Sequence, residues 1–135
     1  MTAGSVVLDA SVLIRSAVAS QPAAREWVRL VEAGDVEGHV PDLAYAETVS
    51  GLVKYIRADL LVRELAAEIL DGMVRLPLVT HGHVRFATAS FVLALELGLS
   101  AYDASYLALA QSLDVPLVTA DRRLAAAAPV SELLP

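Results

Sequence analysis

Two hydrophobic periodicities alternate along the chain. Short runs of consecutive apolar residues, bounded by turn residues, are typical of strands that are buried on both faces of a sheet. They predict strands at residues 6–9, 36–40, 74–79 and 116–119, with an edge strand at Leu133 and Leu134. Between these runs, apolar residues recur at helical spacing and predict amphipathic helices. The helices are expected at residues 11–18, 23–32, 42–57, 59–71, 84–97, 101–112 and 121–128, with Asp42 and Asp59 as N-terminal caps.

This alternation predicts an α/β fold in one domain, residues 1–135. Strands that alternate with helices form right-handed crossovers, which place a parallel sheet between two helical layers. We therefore expect a three-layer α/β/α sandwich with a central sheet of four or five parallel strands. Hydrophobic residues make up 56% of the chain but aromatic residues only 5%, so the core must be built mainly from Ala, Val and Leu.

Charge and cysteine content narrow the classes of function. The formal net charge is −6, whereas a generic nucleic-acid binder is basic because phosphate contacts supply its affinity. Any contact with nucleic acid must therefore use a local basic patch. There is no cysteine, which excludes disulfides and thiolate metal sites. No stretch approaches the roughly 18 apolar residues of a membrane span, and the N-terminus does not resemble a signal peptide. We therefore expect a cytoplasmic location.

Four acids occupy positions where ligands bind in such folds. Asp9 ends the first strand and Asp121 follows the fourth, and parallel sheets bind ligands beyond the carboxyl ends of their strands. Asp103 lies in the first turn of one predicted helix, and Glu47 lies one turn into another. Thr119 points to the same side of its strand as Asp121 and could orient a carboxylate. Each Asp has an alternative interpretation as a helix cap.

Helical geometry separates the interpretations of Asp103 and Glu47. Asp103 shares a face with Leu107, and an acid on an apolar face needs a partner or a metal. The alternative is a capping pair of Ser100 and Asp103 at the start of the helix. Glu47 instead begins a polar stripe opposite an apolar one, so its spacing alone favours a surface glutamate. The polar stripe comprises Glu47, Ser50, Lys54 and Arg57, and the apolar stripe comprises Tyr45, Val49, Leu52 and Ile56.

Taken together, the acids indicate a site for hard divalent cations. Mg²⁺ and Mn²⁺ prefer carboxylate oxygens, and such ions can activate water for phosphodiester hydrolysis. The histidines do not form a comparable set. His81 and His83 flank Gly82 and are interpreted as solvated turn residues, and His39 is a strand-end histidine without a partner in the sequence pattern.

The order and spacing of these acids resemble the PIN-domain family, and more narrowly its VapC-type toxins. The resemblance rests on four motifs: VVLDASVLI around Asp9, P-x-L-x-x-x-E ending at Glu47, SAYDASYLALA around Asp103, and LVTADRRL around Asp121. It implies an α/β/α sandwich and a Mg²⁺- or Mn²⁺-dependent endoribonuclease. It also implies that these four acids form the catalytic and metal-binding site, supported by the residues Ser11 and Thr119.

The resemblance further implies three partners. The first is an RNA substrate, for which Arg15, Arg122 and Arg123 are the cations near the predicted site. The second is a cognate VapB-type antitoxin, whose C-terminal segment would occupy an apolar groove among the first helices. The third is a second copy of the chain in a homodimer. The groove is expected among Trp27, Leu30, Val31, Tyr45, Val49, Leu52, Tyr55 and Ile56.

Two other functions stay open at the level of sequence. One is phosphoryl transfer with Asp9 as the covalent nucleophile. Such phosphatases carry D-x-D at the first strand, whereas this chain has Asp9, Ala10 and Ser11 there. They also use a basic residue at the site, and the single lysine, Lys54, lies in mid-helix. The other alternative is a non-catalytic interaction module in which every acid is a cap. Binding of divalent ions distinguishes these alternatives.

Overall fold

The computed structural model describes residues 4–128 and 131–135. Within them, strands and helices alternate as the hydrophobic pattern predicts. The elements are β1 (Ser5–Leu8), α1 (Ala10–Ala17), α2 (Pro22–Glu32), β2 (Glu37–Pro41), α3 (Leu43–Arg57), α4 (Arg63–Arg75), β3 (Val79–His81), a one-turn 3-10 helix (His83–Phe86), α5 (Ala87–Leu97), α6 (Ala101–Leu113), β4 (Leu117–Thr119), α7 (Arg122–Ala127) and β5 (Ser131–Leu133).

The strands form one parallel sheet in the order β3-β2-β1-β4-β5. The chain first moves outward from β1 through β2 to β3, then crosses back to β4 on the other side of β1. Strand order therefore reverses between β1 and β4. The carboxyl ends of these two strands are where open α/β sheets bind their ligands.

Helices cover both faces of the sheet. α1 packs against α2 and α3, and α3 packs against α4, whereas α5 and α7 both pack against α6. Right-handed crossovers place the first group on one face and the second on the other. The three-layer α/β/α sandwich with a five-stranded parallel sheet is thus confirmed.

The centre of the core lies along α6. Every residue of this helix from position 104 to position 110 is buried, and Tyr106 is the largest fully buried side chain. Among the residues described, no single helix is long and apolar enough to cross a membrane; only the segment His83–Leu97 together with Ala101–Leu113, bent by 114°, passes that test as a pair.

The third strand is shorter than predicted and lies later in the sequence. The apolar run at residues 74–79 predicts a strand, but α4 continues to Arg75 and β3 begins only at Val79. Pro77 lies between them and cannot donate to a strand ladder. Met73 is buried and anchors the last turn of α4 in the core. A short apolar run does not distinguish a strand from a buried helix end.

Two predicted caps do not form. Asp42 stands at the N-cap of α3, but its side chain makes no capping hydrogen bond. Its N–H instead donates to the carbonyl of His81 over 2.8 Å, which ties α3 to the end of β3. Asp59 has a φ of 58° beyond the end of α3, a left-handed conformation that Asp tolerates better than most residues. α4 starts later, after Val62.

Candidate active site

Asp9 is a buried carboxylate at the junction of β1 and α1. It stands at the N-cap of α1 but makes no side-chain capping bond, so capping does not explain it. Instead, its Oδ2 accepts hydrogen bonds from Ser11 Oγ at 2.9 Å and from Thr119 Oγ1 at 2.6 Å. Asp9 is 6% exposed. The two hydroxyls therefore fix the orientation of an acid that is nearly removed from water.

The same two hydroxyls join β1 to the segment after β4. Ser11 Oγ accepts the N–H of Ala120 at 3.1 Å, and Thr119 Oγ1 accepts the N–H of Asp121 at 3.0 Å. Each hydroxyl thus donates to Asp9 and accepts from the backbone leading into α7. This arrangement holds the ends of the two central strands together at the switch in strand order.

Asp121 is a genuine helix cap that also belongs to this edge of the sheet. Its Oδ1 accepts the N–H groups of Arg123 at 2.8 Å and Leu124 at 3.2 Å. Because both bonds use Oδ1, Oδ2 is the oxygen available to a ligand. The cap interpretation therefore applies to Asp121 without excluding a role in the site.

The capping pair of Ser100 and Asp103 forms at the start of α6, with Ser100 rather than Asp103 at the N-cap position. The N-cap is Ser100, whose Oγ accepts the N–H of Asp103 at 3.1 Å. The Asp103 side chain is half-buried, and burial raises its pKa, with smaller contributions from the charges of Asp9 and Asp121.

Glu47 is half-buried rather than a surface residue. The buried face of α3 is formed by Ala44, Thr48 and Leu52, and Val49 from the predicted apolar stripe is 43% exposed. This rotation of the helix turns Glu47 toward the carboxyl end of the sheet. Its Oε1 is buried and accepts no hydrogen bond from any residue described.

Burial and mutual repulsion raise the pKa of three acids. For Asp9, Glu47 and Asp103 alike, burial is the largest cause of a pKa above the ordinary carboxyl value. Charge adds to it: Asp9 and Asp103 raise the pKa of Glu47, and Asp121 raises the pKa of Asp9. Each of the four acids therefore lies within electrostatic reach of others, at the carboxyl ends of β1 and β4.

Tyr106 is a member of this site that the sequence pattern did not indicate. It is fully buried beneath the acids, and its hydroxyl accepts the N–H of Ala10 at 3.3 Å. As a hydrogen-bond donor the same hydroxyl lowers the pKa of Glu47, opposing the effect of burial. Tyr106 follows Asp103 by three residues, so the shared helix face was the signal that could have found it.

The donor set suits a hard divalent cation. All four acids offer carboxylate oxygens, which Mg²⁺ and Mn²⁺ prefer, and Glu47 Oε1 is a buried acceptor without a protein partner among the residues described. Within residues 4–128 and 131–135, no three acid or histidine groups converge on one coordination point. Mg²⁺ usually retains several waters and needs only one or two direct carboxylate ligands, so the residues fit an ion held partly through water.

The three arginines differ in their surroundings. Arg15 donates to the carbonyl oxygen of Pro135 at 3.3 Å. Arg123 lies against the turn between α5 and α6, where a Cβ on Gly98 would be 3.3 Å from its Nη2, and its charge lowers the pKa of Asp103. Arg122 is exposed. Arg123 is thus the arginine whose charge acts on the acid cluster.

The histidines are not the solvated, unpartnered residues expected from the sequence. His39 is buried, and its Nδ1 lies 2.9 Å from Nε2 of His81 while its Nε2 lies 2.7 Å from Oε1 of Glu37. His81 belongs to β3 rather than to a turn. His83 Nδ1 lies 3.3 Å from Ser105 Oγ. The pairing register of β2 with β3 brings His39 and His81 together, and spacing along one strand does not reveal it.

Comparison with known proteins identifies the family to which the chain is related. The PIN-domain sequence profile matches residues 6–129. Ribonuclease VapC3 of Pyrobaculum aerophilum is 36% identical over 91 residues, which are 66% of this chain and 70% of that protein. The crystal structure of VapBC2 from Rickettsia felis, bound to a DNA fragment from their promoter, matches with a TM-score of 0.73 and 15% identity, over 97% of this chain and 99% of the other.

A toxin–antitoxin complex from Klebsiella pneumoniae matches with a TM-score of 0.63 and 22% identity, over 94% of this chain and 95% of the other. At such identities the two structures show a shared fold. The sequence profile spans nearly every element that carries the acids, from β1 to the end of α7. This chain belongs to the PIN-domain family.

Proposed function

We propose that this chain is an endoribonuclease that hydrolyses RNA phosphodiester bonds, with Mg²⁺ as its cofactor and Mn²⁺ as a substitute. The observation that carries the proposal is the cluster of Asp9, Glu47, Asp103 and Asp121 at the switch in strand order, with Glu47 Oε1 buried and unpartnered among the residues described. The ribonuclease name of the VapC3 relative supports the same activity.

The residues of the site perform distinct tasks in this proposal. The hydroxyls of Ser11 and Thr119 hold Asp9 in one orientation, and the α7 cap holds Asp121. Glu47 Oε1 is available to accept a proton or hydrogen bond from water at the phosphate. A divalent cation bound here would neutralise charge on the phosphate and would lower the pKa of a water molecule that it coordinates.

Cleavage of RNA by site variants tests this activity. We expect the purified chain to cleave single-stranded RNA with Mg²⁺ and to lose the activity with EDTA. Asp9→Asn and Glu47→Gln should each lower kcat at least about 100-fold, the lower end for loss of a group that transfers protons. Glu64→Gln, at an exposed acid of α4, is the matched control. Aspartyl-phosphate on Asp9 would instead support phosphoryl transfer, and no divalent-ion binding would support a non-catalytic module.

We also propose that the chain is the toxin of a VapBC-type pair. A cavity of about 250 Å³ lies among α1, α2, α3 and α4, and Leu13, Val28 and Met73 give it an apolar lining. Glu32 and Glu68 flank it and suit a basic, amphipathic antitoxin segment. The residues expected from the sequence do not line this cavity, because Val31, Leu52 and others are used in the core.

Co-expression tests the toxin proposal. The chain alone should arrest growth, and the product of an adjacent antitoxin gene should relieve the arrest and block RNA cleavage. Glu68→Lys, at an exposed acid on the edge of the cavity, should abolish protection by the antitoxin without lowering RNA cleavage. Cleavage that is unchanged by the antitoxin would contradict the pairing and leave the nuclease proposal intact. We therefore propose a cytoplasmic location, where the RNA substrate and the antitoxin would both be present.

We propose that the chain forms a homodimer, and an exposed apolar face of α5 supports this. Phe91 and Leu95 are 66% and 71% exposed, and they lie four residues apart on one face of the helix. An exposed apolar face of this kind favours contact with another copy. We expect a dimer by light scattering, and Leu95→Glu should convert it to a monomer.

A further inference from the structure

Beside the acid cluster lies a second cavity, of about 330 Å³, between α3 and the start of α6. This volume is at the lower end of the range for pockets that hold small ligands, about 300–1,000 Å³. Glu47 forms part of its wall, and Tyr102 of the same wall directly precedes Asp103, so the cavity adjoins the acid cluster. The rest of the wall is formed by Leu43, Ala46, Ser50, Gly51, Lys54 and Tyr102.

Tyr102 gives this cavity an aromatic wall. It immediately precedes Asp103 in α6, and it is 60% exposed although the chain has few aromatic residues. The core does not require this ring, because Tyr106 on the same helix is the fully buried one. An exposed ring beside a phosphodiester-cleaving site is a surface on which a nucleic-acid base can stack.

Lys54 gives the cavity a cation. It is the only lysine of a chain with net charge −6, and it lies seven residues, or two helical turns, after Glu47 on the same face of α3. Ala46, whose side chain is small, also lines the cavity, whereas Gly51 lets α3 approach α1, since a Cβ there would lie 2.8 Å from Cδ1 of Ile14. The polar stripe of α3 therefore forms one wall of a cavity rather than facing open solvent.

We propose that this cavity binds one unpaired nucleotide of the RNA substrate next to the scissile phosphate, with the base stacked on Tyr102 and a phosphate contacting Lys54. The proposal rests on the nuclease function above and adds a specificity-determining subsite to it. The cavity offers one aromatic ring for a base, one cation for a phosphate and space for one small ligand. These features suit a single nucleotide whose base is unstacked from its neighbours. A paired base cannot leave its stack at low cost, so the subsite selects single-stranded RNA.

Binding and cleavage of a 12-nucleotide single-stranded RNA of random sequence test the subsite. Binding is measured by anisotropy with a phosphorothioate version of the RNA, and cleavage is measured with the normal version. Tyr102→Ala should weaken binding and raise KM about tenfold, with kcat changed much less, because stacking contributes to affinity. Tyr102→Phe retains the ring and should behave like the wild type. Lys54→Ala should lower the slope of log Kd against log salt by about 0.7.

Arg57→Ala is the matched control for Lys54→Ala, since Arg57 is an exposed cation one turn further along α3 that does not line the cavity. The inference is overturned if the wild type cleaves RNA while Tyr102→Ala and Lys54→Ala keep its affinity, KM and salt slope. It is also overturned if these two changes weaken antitoxin binding and leave RNA binding intact. A wild type that neither binds nor cleaves RNA removes the nuclease proposal itself, which is a different result.

Discussion

At the scale of single residues, the charge of Asp9 opposes folding. Burial raises the pKa of Asp9, with a smaller effect from Asp121, so the folded state holds its proton more tightly than the unfolded state. Ionisation of Asp9 therefore lowers the free energy of unfolding. This loss of stability is absent well below pH 3.8, grows as the pH rises through the folded pKa of Asp9, and is complete above it. Asn at this position can still accept the bonds from Ser11 and Thr119.

We therefore predict that Asp9→Asn is more stable than the wild type at pH 7 without divalent ions. A gain of about 1 kcal/mol corresponds to a rise of several degrees in Tm for a chain of this size. The difference between the two proteins should shrink as the pH falls toward about 4. Added Mg²⁺ should raise the Tm of the wild type more than that of the variant, because ligand binding stabilises the folded state. Equal Tm values at pH 7 would contradict the assignment of this loss of stability to Asp9.

Tyr106 connects three elements that carry the acids. Its hydroxyl accepts a buried N–H from α1, acts on Glu47 of α3, and belongs to α6 with Asp103. Tyr106→Phe leaves the Ala10 N–H without its partner, which should lower the free energy of unfolding by about 1–2 kcal/mol. We also expect weaker Mg²⁺ binding by calorimetry, since the variant lacks the hydroxyl that lowers the pKa of Glu47 and so favours its charged form.

A hydroxyl elsewhere provides the control for this prediction. Tyr55→Phe removes a hydroxyl that makes no hydrogen bond to the residues described, so stability and Mg²⁺ affinity should stay near the wild-type values. If Tyr106→Phe matches Tyr55→Phe in both measurements, Tyr106 only fills space in the core.

Residue positions in the sequence revealed part of this site. Asp9 and Asp121 could be placed because the carboxyl end of a parallel strand is a fixed location in the fold. Glu47 was different, since the spacing along α3 favoured a surface position and only the resemblance to PIN domains placed it in the site. The helix is rotated so that Thr48 faces the core, and a buried Thr whose hydroxyl bonds to the carbonyl of Ala44 does not register as apolar.

At the scale of elements, boundaries were less predictable than element types. The run around Pro77 combines the end of α4, a linker and the start of β3, and hydrophobicity alone does not divide it. The register of β3 against β2 then decides the surroundings of the histidines. His39 pairs with Val79 and Pro41 pairs with His81 in that register, which is tertiary information.

The pairing of β2 with β3 should make stability depend on pH through His81. Burial, followed by the nearby His39 and Arg85, lowers the pKa of His81, so the folded state binds its proton less readily than the unfolded state. Stability is therefore complete above the unfolded value near 6.5 and decreases as the pH falls from there through the folded pKa. His81→Gln removes this titration. Urea unfolding should show a smaller loss of stability between about pH 7.5 and pH 5.5 in the variant than in the wild type.

At the scale of the whole molecule, the topology of the fold determines which helices meet at the site, and the spacing of residues along one helix does not. The alternation of strands and helices predicted the sandwich because right-handed crossovers leave few arrangements. The convergence of Glu47 and Asp103 with Asp9 requires α3 and α6, from opposite helical layers, to meet above the sheet edge. Periodicity assigns each helix a buried face, but it does not specify which two helices approach each other.

The net charge of the whole molecule yields the last prediction. With a charge of −6, the chain repels RNA at long range, so its affinity must depend on a few local cations. Arg123 lies beside the turn before α6, and its charge acts on Asp103, whereas Arg122 is its exposed neighbour. Changing both arginines to Ala should weaken RNA binding. It should also lower the slope of log Kd against log salt by about 0.7 for each phosphate that the variant no longer neutralises. Arg123→Ala alone should account for the larger share of the lost affinity. Arg63→Ala, which lowers the net charge by the same single unit as Arg123→Ala but at an exposed residue of α4, should leave both quantities unchanged. If Arg63→Ala and Arg123→Ala weaken RNA binding equally, the effect comes from net charge rather than from a basic patch at the rim of the site.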